Sequence, residues 1–111
     1  MGKAAKGELV QGTLDMLILS RLSRGAMHGF GIAEYIEQAT EDILRVEEGS
    51  LYPALHRLEA DGYIASEWKA SENNRRAKYY SLTARGHKQV AVEVNRWQRL
   101  SAAIGRIIEP A

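Results

Sequence analysis

The sequence contains no cysteine and, among its 111 residues, only two prolines and one phenylalanine. Without cysteine the chain has no disulfide, thiolate zinc site, iron–sulfur cluster or cysteine nucleophile. The longest uninterrupted apolar run is residues 16–19, which is far too short to cross a bilayer, and the first seven residues contain no apolar signal core. These features predict a soluble cytoplasmic protein without a membrane association.

The net charge of +1 conceals a segregation of charge along the chain. Residues 1–74 carry seven basic and twelve acidic side chains, whereas residues 75–106 carry eight basic side chains and one acidic side chain, Glu93. Such a segment can present a positive field to a polyanion even when the whole chain is nearly neutral. Solvation of an ordinary helix face explains the same distribution, so charge alone leaves both interpretations open.

Three segments with apolar residues at helical spacing predict three helices within a single domain of residues 1–111, because a chain of this length fills one core. Thr13 lies near the start of the first helix, Pro53 in the opening turn of the third, and Asp61-Gly62 ends the third. The predicted core positions are Leu14, Leu17, Ile18 and Leu22 in the first helix, Ile32, Ala33 and Ile36 in the second, and Leu51, Leu55 and Leu58 in the third.

The spacing of the side-chain types changes after Tyr63 from a helical period to a period of two. In residues 64–69 the even-numbered positions alternate with the odd-numbered ones, as on the two faces of a strand. Residues 71–74 favour a turn, and residues 78–82 favour a returning strand, so the two segments predict a β-hairpin. Thr83 then caps a long final helix. The predicted fold is mainly α with a β-hairpin: three helices and the hairpin over residues 9–83, followed by a long C-terminal helix over residues 84–108.

The exposed face of the third helix contains no carboxylate at its centre. Opposite its core positions lie small, polar and cationic residues, namely Gly49, Pro53, His56, Arg57 and Ala60, with Ser50 and Tyr52 at the flanks. This composition is typical of a helix that enters the major groove, where Arg and His reach base edges. An ordinary amphipathic helix of chance composition is the alternative.

The hairpin tip concentrates positive charge and amide donors, in Asn73, Asn74, Arg75, Arg76 and Lys78. Bringing these cations together costs repulsion, which a phosphate backbone relieves. A helix-turn-helix followed by a basic hairpin provides one element for bases and one for the backbone. The two features together favour nucleic-acid binding and predict that residues 9–83 form a winged helix-turn-helix DNA-binding domain.

Nearly the whole chain resembles the PadR-like transcriptional regulators. The matching segments are residues 12–19, 28–32, 49–59, 61–64 and 76–83 with Gly86, and the most specific are Gly49-Ser50-Leu51-Tyr52-Pro53-x-Leu55 and Tyr79-Tyr80-x-Leu82-Thr83. The resemblance implies a bacterial or archaeal repressor that folds as a winged helix and dimerises through its last helix. The short tail is similar to that of the compact members, which have a single C-terminal helix.

The resemblance also assigns site residues. It implies a groove-facing set of Ser50, Tyr52, Pro53, His56 and Arg57, and a phosphate-binding wing of Asn74, Arg75, Arg76 and Lys78. Glu47 and Glu48 depart from this pattern, because two acids before the recognition helix repel phosphate. We expect them to point away from DNA.

The final helix carries an apolar seam of 19 residues, longer than a core of this size can cover. Its positions alternate at spacings of four and three: Val90, Val94, Trp97, Ser101, Ile104 and Ile108. We therefore expect residues 84–108 to be a C-terminal dimerisation helix, in a homodimer whose two copies bury the seam about a two-fold axis. Such a dimer predicts a palindromic operator of double-stranded DNA.

Trp97 lies on this predicted dimer interface and has two interpretations. An aromatic side chain commonly fills an interface core. The resemblance implies instead that Trp97 stacks a planar aromatic small-molecule effector between the subunits, which relieves operator binding. The residues themselves leave both roles open.

An enzymatic function has little support in the sequence. His28, His56 and His87 lack metal-ligand spacing, and no nucleophile elbow accompanies the serines, so we expect no catalytic residue, metal site or cofactor. The main alternative to a DNA-binding regulator is a winged-helix adaptor that contacts an acidic protein through its basic wing.

Overall fold

The computed structural model describes residues 11–109, which form helices and a small sheet in the predicted order of three helices, hairpin and long helix. The elements are α1 (Gln11–Leu22), β1 (Met27–His28), α2 (Gly29–Ala39), α3 (Glu48–Ala60), β2 (Ile64–Ala70), β3 (Arg76–Leu82) and α4 (Ala84–Ile108). This arrangement is the mainly helical winged-helix architecture that the residue pattern predicts. Within the described part of the chain, no helix combines the length and apolarity needed to cross a membrane.

The core lies between the apolar sides of α1, α2 and α3, and the first helix is central to it. Ile18 and Ile32 are fully buried, and Leu51 and Leu55 are nearly so. Because α1 contacts α2, α3 and α4, it fixes the other helices relative to one another. Ile64 and Tyr80 close the core from the sheet side, so the hairpin is anchored at its base.

The sheet contains one strand that the sequence pattern does not predict. The strand order is β1-β3-β2, with Met27 opposite Tyr80 and His28 opposite Tyr79. Two residues are too few to produce an alternating pattern, so β1 is recognisable only from its pairing with β3. The predicted hairpin is confirmed, and its antiparallel register runs from Ile64 opposite Leu82 to Ala70 opposite Arg76.

Side-chain caps set the starts of two helices. The Thr83 hydroxyl accepts a hydrogen bond from the Gly86 amide at 3.0 Å and donates one to the Gly62 carbonyl at 2.7 Å. Imidazole Nδ1 of His28 accepts from the Gly31 amide at 2.9 Å and caps α2. Both caps satisfy amides that a helix start otherwise leaves without partners.

The third helix begins earlier than the sequence predicts. It starts at Glu48, with Glu47 at the N-cap, and Pro53 therefore lies inside the helix rather than in its opening turn. Pro53 has no N–H, so the Gly49 carbonyl lacks its usual helical donor. Both residues are exposed, which lets water reach this carbonyl.

Candidate nucleic-acid interface

The buried side of α3 determines which residues it exposes. Leu51, Ala54, Leu55 and Leu58 are buried, which turns Ser50, Tyr52, Pro53 and His56 towards solvent. Four of the five residues expected to face a groove therefore share one exposed helix face. Gly49, Ser50 and Pro53 on this face are small, so an approaching surface can come close to the backbone there.

Arg57, the fifth predicted groove residue, lies differently from the other four. Its guanidinium donates to Asp15 Oδ1 on α1 at 2.7 Å, and its side chain is 34% exposed. Arg57 is thus directed back towards α1 rather than outward from the middle of the exposed face. The sequence pattern does not reveal this contact, because Asp15 lies 42 residues earlier in the chain. A helical-wheel projection of α3 alone places Arg57 near the edge of the exposed face.

Tyr52 is held against the start of α2. A Cβ built at Gly29 would lie 2.9 Å from the Tyr52 hydroxyl oxygen, so the ring packs closely over that glycine. Partial burial raises the pKa of the Tyr52 hydroxyl, and the negative charge of Glu48 raises it further. Glu48 is one turn before Tyr52 on the same side of α3, whereas we expected both Glu47 and Glu48 to point away from this face. An acid therefore borders the exposed surface of α3 at its amino-terminal end.

The charged side chains at the tip of the hairpin are exposed to solvent. A tight turn closes it, in which the Ser71 amide donates to the Arg75 carbonyl at 2.7 Å and Asn74 adopts a φ of 66°. Asn tolerates this left-handed conformation better than most residues. Arg75 and Arg76 are exposed, and the Arg76 guanidinium lies 5.5 Å from the centre of the Trp68 ring.

Glu59 joins the wing to α3. One carboxylate oxygen accepts from the Ser66 hydroxyl of β2 at 2.7 Å, and the other lies 3.9 Å from the Lys78 amine of β3. Lys78, which lies opposite Trp68 along the hairpin, is therefore partly neutralised, unlike Arg75 at its tip. These contacts hold the hairpin at a set angle to α3.

The wing, α3 and the start of α2 enclose a cleft of about 640 Å³, which we call the recognition cleft. Five predicted DNA-binding residues line it, namely Tyr52, His56, Arg75, Arg76 and Lys78, whereas Ser50, Pro53, Arg57 and Asn74 do not. Two exposed aromatic residues in the lining are not among the predicted site residues. Phe30 is 66% exposed and Trp68 is 57% exposed, and because this exposure depends on how the elements pack, no pattern in the sequence marks them.

The predicted dimer seam divides into two parts in the structure. Val90 packs against the core of its own subunit and Val94 is half-buried, so the amino-terminal part is largely covered. The remaining predicted positions are exposed: Trp97, Ser101, Ile104 and Ile108. Leu100 and Ile107 are also exposed and widen this apolar strip. In the described residues, the carboxyl-terminal half of α4 thus presents an apolar strip to solvent.

Comparison with known proteins gives a consistent family relationship. Residues 18–92 match the model of the transcriptional regulator PadR-like family. A transcriptional regulator of Mycobacterium tuberculosis, Rv3488, is 32% identical over 77 residues, which are 69% of this chain and 69% of that protein. A transcriptional regulator from Clostridium thermocellum has a similar structure with a TM-score of 0.80 and 31% identity, covering 89% of this chain and 96% of the other. A PadR-like transcriptional regulator from Bacillus cereus superposes with a TM-score of 0.78 at 26% identity, covering 91% and 96% of the two chains. The chain therefore belongs to the PadR-like family of transcriptional regulators.

Proposed function

We propose that this chain is a homodimeric repressor that binds a palindromic operator and is released from it by a small planar aromatic effector. The observation that carries the DNA-binding part is the recognition cleft, where the exposed face of α3 meets the arginine-tipped wing. Specific DNA recognition needs one surface for base edges and another for phosphates. The exposed face of α3 would supply the first surface and the cations of the wing the second, and Glu59 links the wing to α3.

In this proposal the residues of the site have different tasks. His56 and Ser50 contact base edges in the major groove, Tyr52 and Pro53 contact the groove walls, and the wing binds phosphates. The phosphate-binding residues are Asn74, Arg75, Arg76 and Lys78. Arg57 acts through Asp15 as a positioning residue for α3 rather than as a reader of bases.

Selection of bound sequences from random duplex DNA tests this proposal most directly. The selected sites should be palindromic, with half-sites one or more helical turns apart, or about 34 Å per turn. The His56→Ala variant should change which bases are preferred at one position of each half-site. The Arg75→Ala variant should weaken binding to all sequences alike and make the dependence on salt less steep by about one phosphate contact. A failure to enrich any sequence would contradict the proposal.

A winged-helix adaptor that contacts an acidic protein is the second candidate, and the basic, exposed wing is the observation that favours it. Retention on random-sequence duplex DNA separates the two functions. A DNA-binding protein is retained and is released steeply as salt rises, whereas an adaptor shows little retention at physiological salt.

The dimer and the effector are proposed from the apolar strip of α4. Two copies packed through Trp97 and Ile104 would cover side chains that are each 46% exposed in one chain. A planar aromatic ligand stacked on Trp97 between the subunits would alter the distance between the two α3 helices and thereby lower operator affinity.

Tryptophan fluorescence tests the effector. Trp68 in the wing also emits, so the experiment uses a Trp68→Phe background in which Trp97 is the sole tryptophan. A flat cationic dye should quench this emission and weaken operator binding over the same concentration range. Unchanged emission at saturating dye would remove Trp97 from the proposal.

A further inference from the structure

The side of α4 that points away from its own domain is cationic along most of its length. It carries Lys88, Arg96, Arg99 and Arg106, all of them exposed, and we call this surface the outer α4 face. At 100° per residue the four positions fall within an arc of about 80°, and at 1.5 Å per residue they span about 27 Å. The centre of the arc lies about 120–140° from Trp97 and Ile104, so a dimer formed through these two residues leaves the outer α4 face open.

No carboxylate neutralises this face in the described part of the chain. Among residues 12–109 the ion pairs are those of Arg45, Arg57 and Lys78, and none of them involves α4. Glu93 is the single acid of α4, and it points elsewhere: it accepts from Gln89 at 2.7 Å, and its charge raises the pKa of Asp15 on α1. Like charges three residues apart, as in Arg96 and Arg99, destabilise a helix unless a partner compensates them.

The chemistry of the outer α4 face fits a nucleic-acid backbone better than a protein. Protein interfaces usually have aromatic or apolar anchors, and within this arc only Val92 is a large apolar side chain, whereas Leu100 lies at its border. Beside the cations lie Ala91, Asn95, Ala102 and Ala103, which line two shallow hollows with the arginines. Small side chains let a DNA duplex approach the helix closely, and a polar, strongly positive surface is typical of DNA contacts. The span of about 27 Å is most of one turn of duplex, which is about 34 Å.

The recognition cleft and the outer α4 face are separate surfaces. No residue of α4 lines the recognition cleft. Both α3 and α4 pack on α1, α3 through its apolar side and α4 through the side that carries Val90 and Glu93. Their exposed sides therefore point away from α1 in different directions, and a duplex in the cleft leaves the outer α4 face available.

We propose that the outer α4 face binds the phosphate backbone of a second DNA segment, so that one dimer bridges two duplexes. This inference rests on the proposed DNA-binding function. Binding here is independent of sequence, because a row of cations without base-reading side chains contacts only phosphates.

A two-duplex capture experiment tests the bridge. One random-sequence duplex of roughly 30 base pairs, about three helical turns, is fixed to beads, and the protein is asked to retain a second, fluorescent duplex. The full chain should retain it. The Arg96→Gln/Arg99→Gln/Arg106→Gln variant should retain at least about tenfold less, with a salt dependence less steep by about three phosphate contacts. The triple lysine variant at the same positions should retain the second duplex as the parent does.

Controls separate this proposal from the one on which it rests. The triple glutamine variant should keep its dimer mass by light scattering and its binding to a single duplex, whereas an Arg75→Gln/Arg76→Gln variant should lose single-duplex binding. Equal capture by the parent and the triple glutamine variant would overturn the bridge and leave the proposed function standing. Assemblies larger than a dimer that form without DNA and disappear in the triple glutamine variant would assign the face to a second copy instead. Failure of the parent to bind any duplex would overturn both proposals.

Discussion

The guanidinium of Arg57 on α3 donates to Oδ1 of Asp15 on α1 at a distance of 2.7 Å. This contact joins the proposed recognition helix to the central helix of the core, and Glu93 of α4 lies close enough to influence the same carboxylate. Asp15 therefore lies at a point where the recognition helix, the central helix and the proposed dimerisation helix meet. The orientation of α3 relative to α4 determines the spacing of two recognition helices in a dimer.

Replacement of Arg57 alone should lower the free energy of unfolding more than replacement of both Arg57 and Asp15. Arg57→Met leaves the largely buried Asp15 carboxylate without its donor, and we expect the free energy of unfolding to fall by about 1–3 kcal/mol. Asp15→Leu/Arg57→Met should recover most of this loss, since no charge remains to be compensated. Urea denaturation measures the free energy of unfolding of both variants.

Arg45→Met is the matched control: Arg45 also pairs with a carboxylate, but its side chain is 59% exposed, so we expect a change within about 0.5 kcal/mol. Additive losses in the double variant would contradict the prediction.

Asp15 should also make stability depend on pH. Burial raises the pKa of its carboxyl, and the hydrogen bond and charge of Arg57 lower it only in part. The folded chain therefore holds the Asp15 proton more tightly than the unfolded chain, so the contribution of Asp15 to stability falls as pH rises through the acidic range. The unfolding free energy of the parent relative to Asp15→Asn should decrease between about pH 3 and pH 6. A relative gain over this range would mean that Arg57 outweighs burial.

Gly86 should be the glycine of α4 that is least tolerant of substitution. A Cβ at this position would collide with the backbone carbonyl of Tyr63, which also accepts the Thr83 amide at 3.1 Å. Gly86→Ala must displace either α4 or the start of the hairpin, and we expect a loss of about 1–3 kcal/mol in thermal or urea unfolding. Gly12→Ala is the control, because its Cβ would meet open space at the start of α1, and it should be neutral or slightly stabilising. Equal effects of the two substitutions would rule out the close contact as the cause.

Substitution by aspartate at two apolar positions of α4 should affect the dimer differently. Trp97 is 46% exposed and Val92 is 48% exposed, but they lie on different sides of the helix. Trp97→Asp places a charge in the proposed interface and should convert the dimer to a monomer at micromolar concentration. Val92→Asp places the same charge on the outer α4 face and should leave the dimer intact. Light scattering distinguishes the two masses, and a dimer that survives Trp97→Asp would place the interface elsewhere.

The hairpin and the long final helix are the elements best predicted from sequence, because their signals are local. Alternation from Ile64 and the turn residues before Arg75 indicate the strands, and Thr83 caps its helix through an amide only three residues away. The start of α3 is predicted less well. Its N-cap residue, Glu47, makes no side-chain hydrogen bond to the helix, so no capping motif in the sequence marks this position. The short strand β1 has no periodic signal and depends on β3 for its hydrogen bonds.

The candidate site is predictable only as far as a single element determines it. The exposed positions Tyr52 and His56 follow from the helical period once the buried leucines are identified. Arg57 does not follow, because its direction depends on an acid 42 residues earlier. Phe30 joins the recognition cleft only because α2 packs beside α3, a relationship that no local pattern contains.

The order of the helices and the hairpin, the basic wing and the apolar strip of α4 are determined by the sequence itself, since backbone preference, periodicity and local charge act between neighbouring residues. Tertiary structure alone decides that Arg57 turns inward, that aromatic side chains from α2 and the wing share one cleft, and that the cations of α4 form a face remote from it. Each of these depends on the packing of segments that are distant in the chain, and such contacts exist only after the core around α1 has formed.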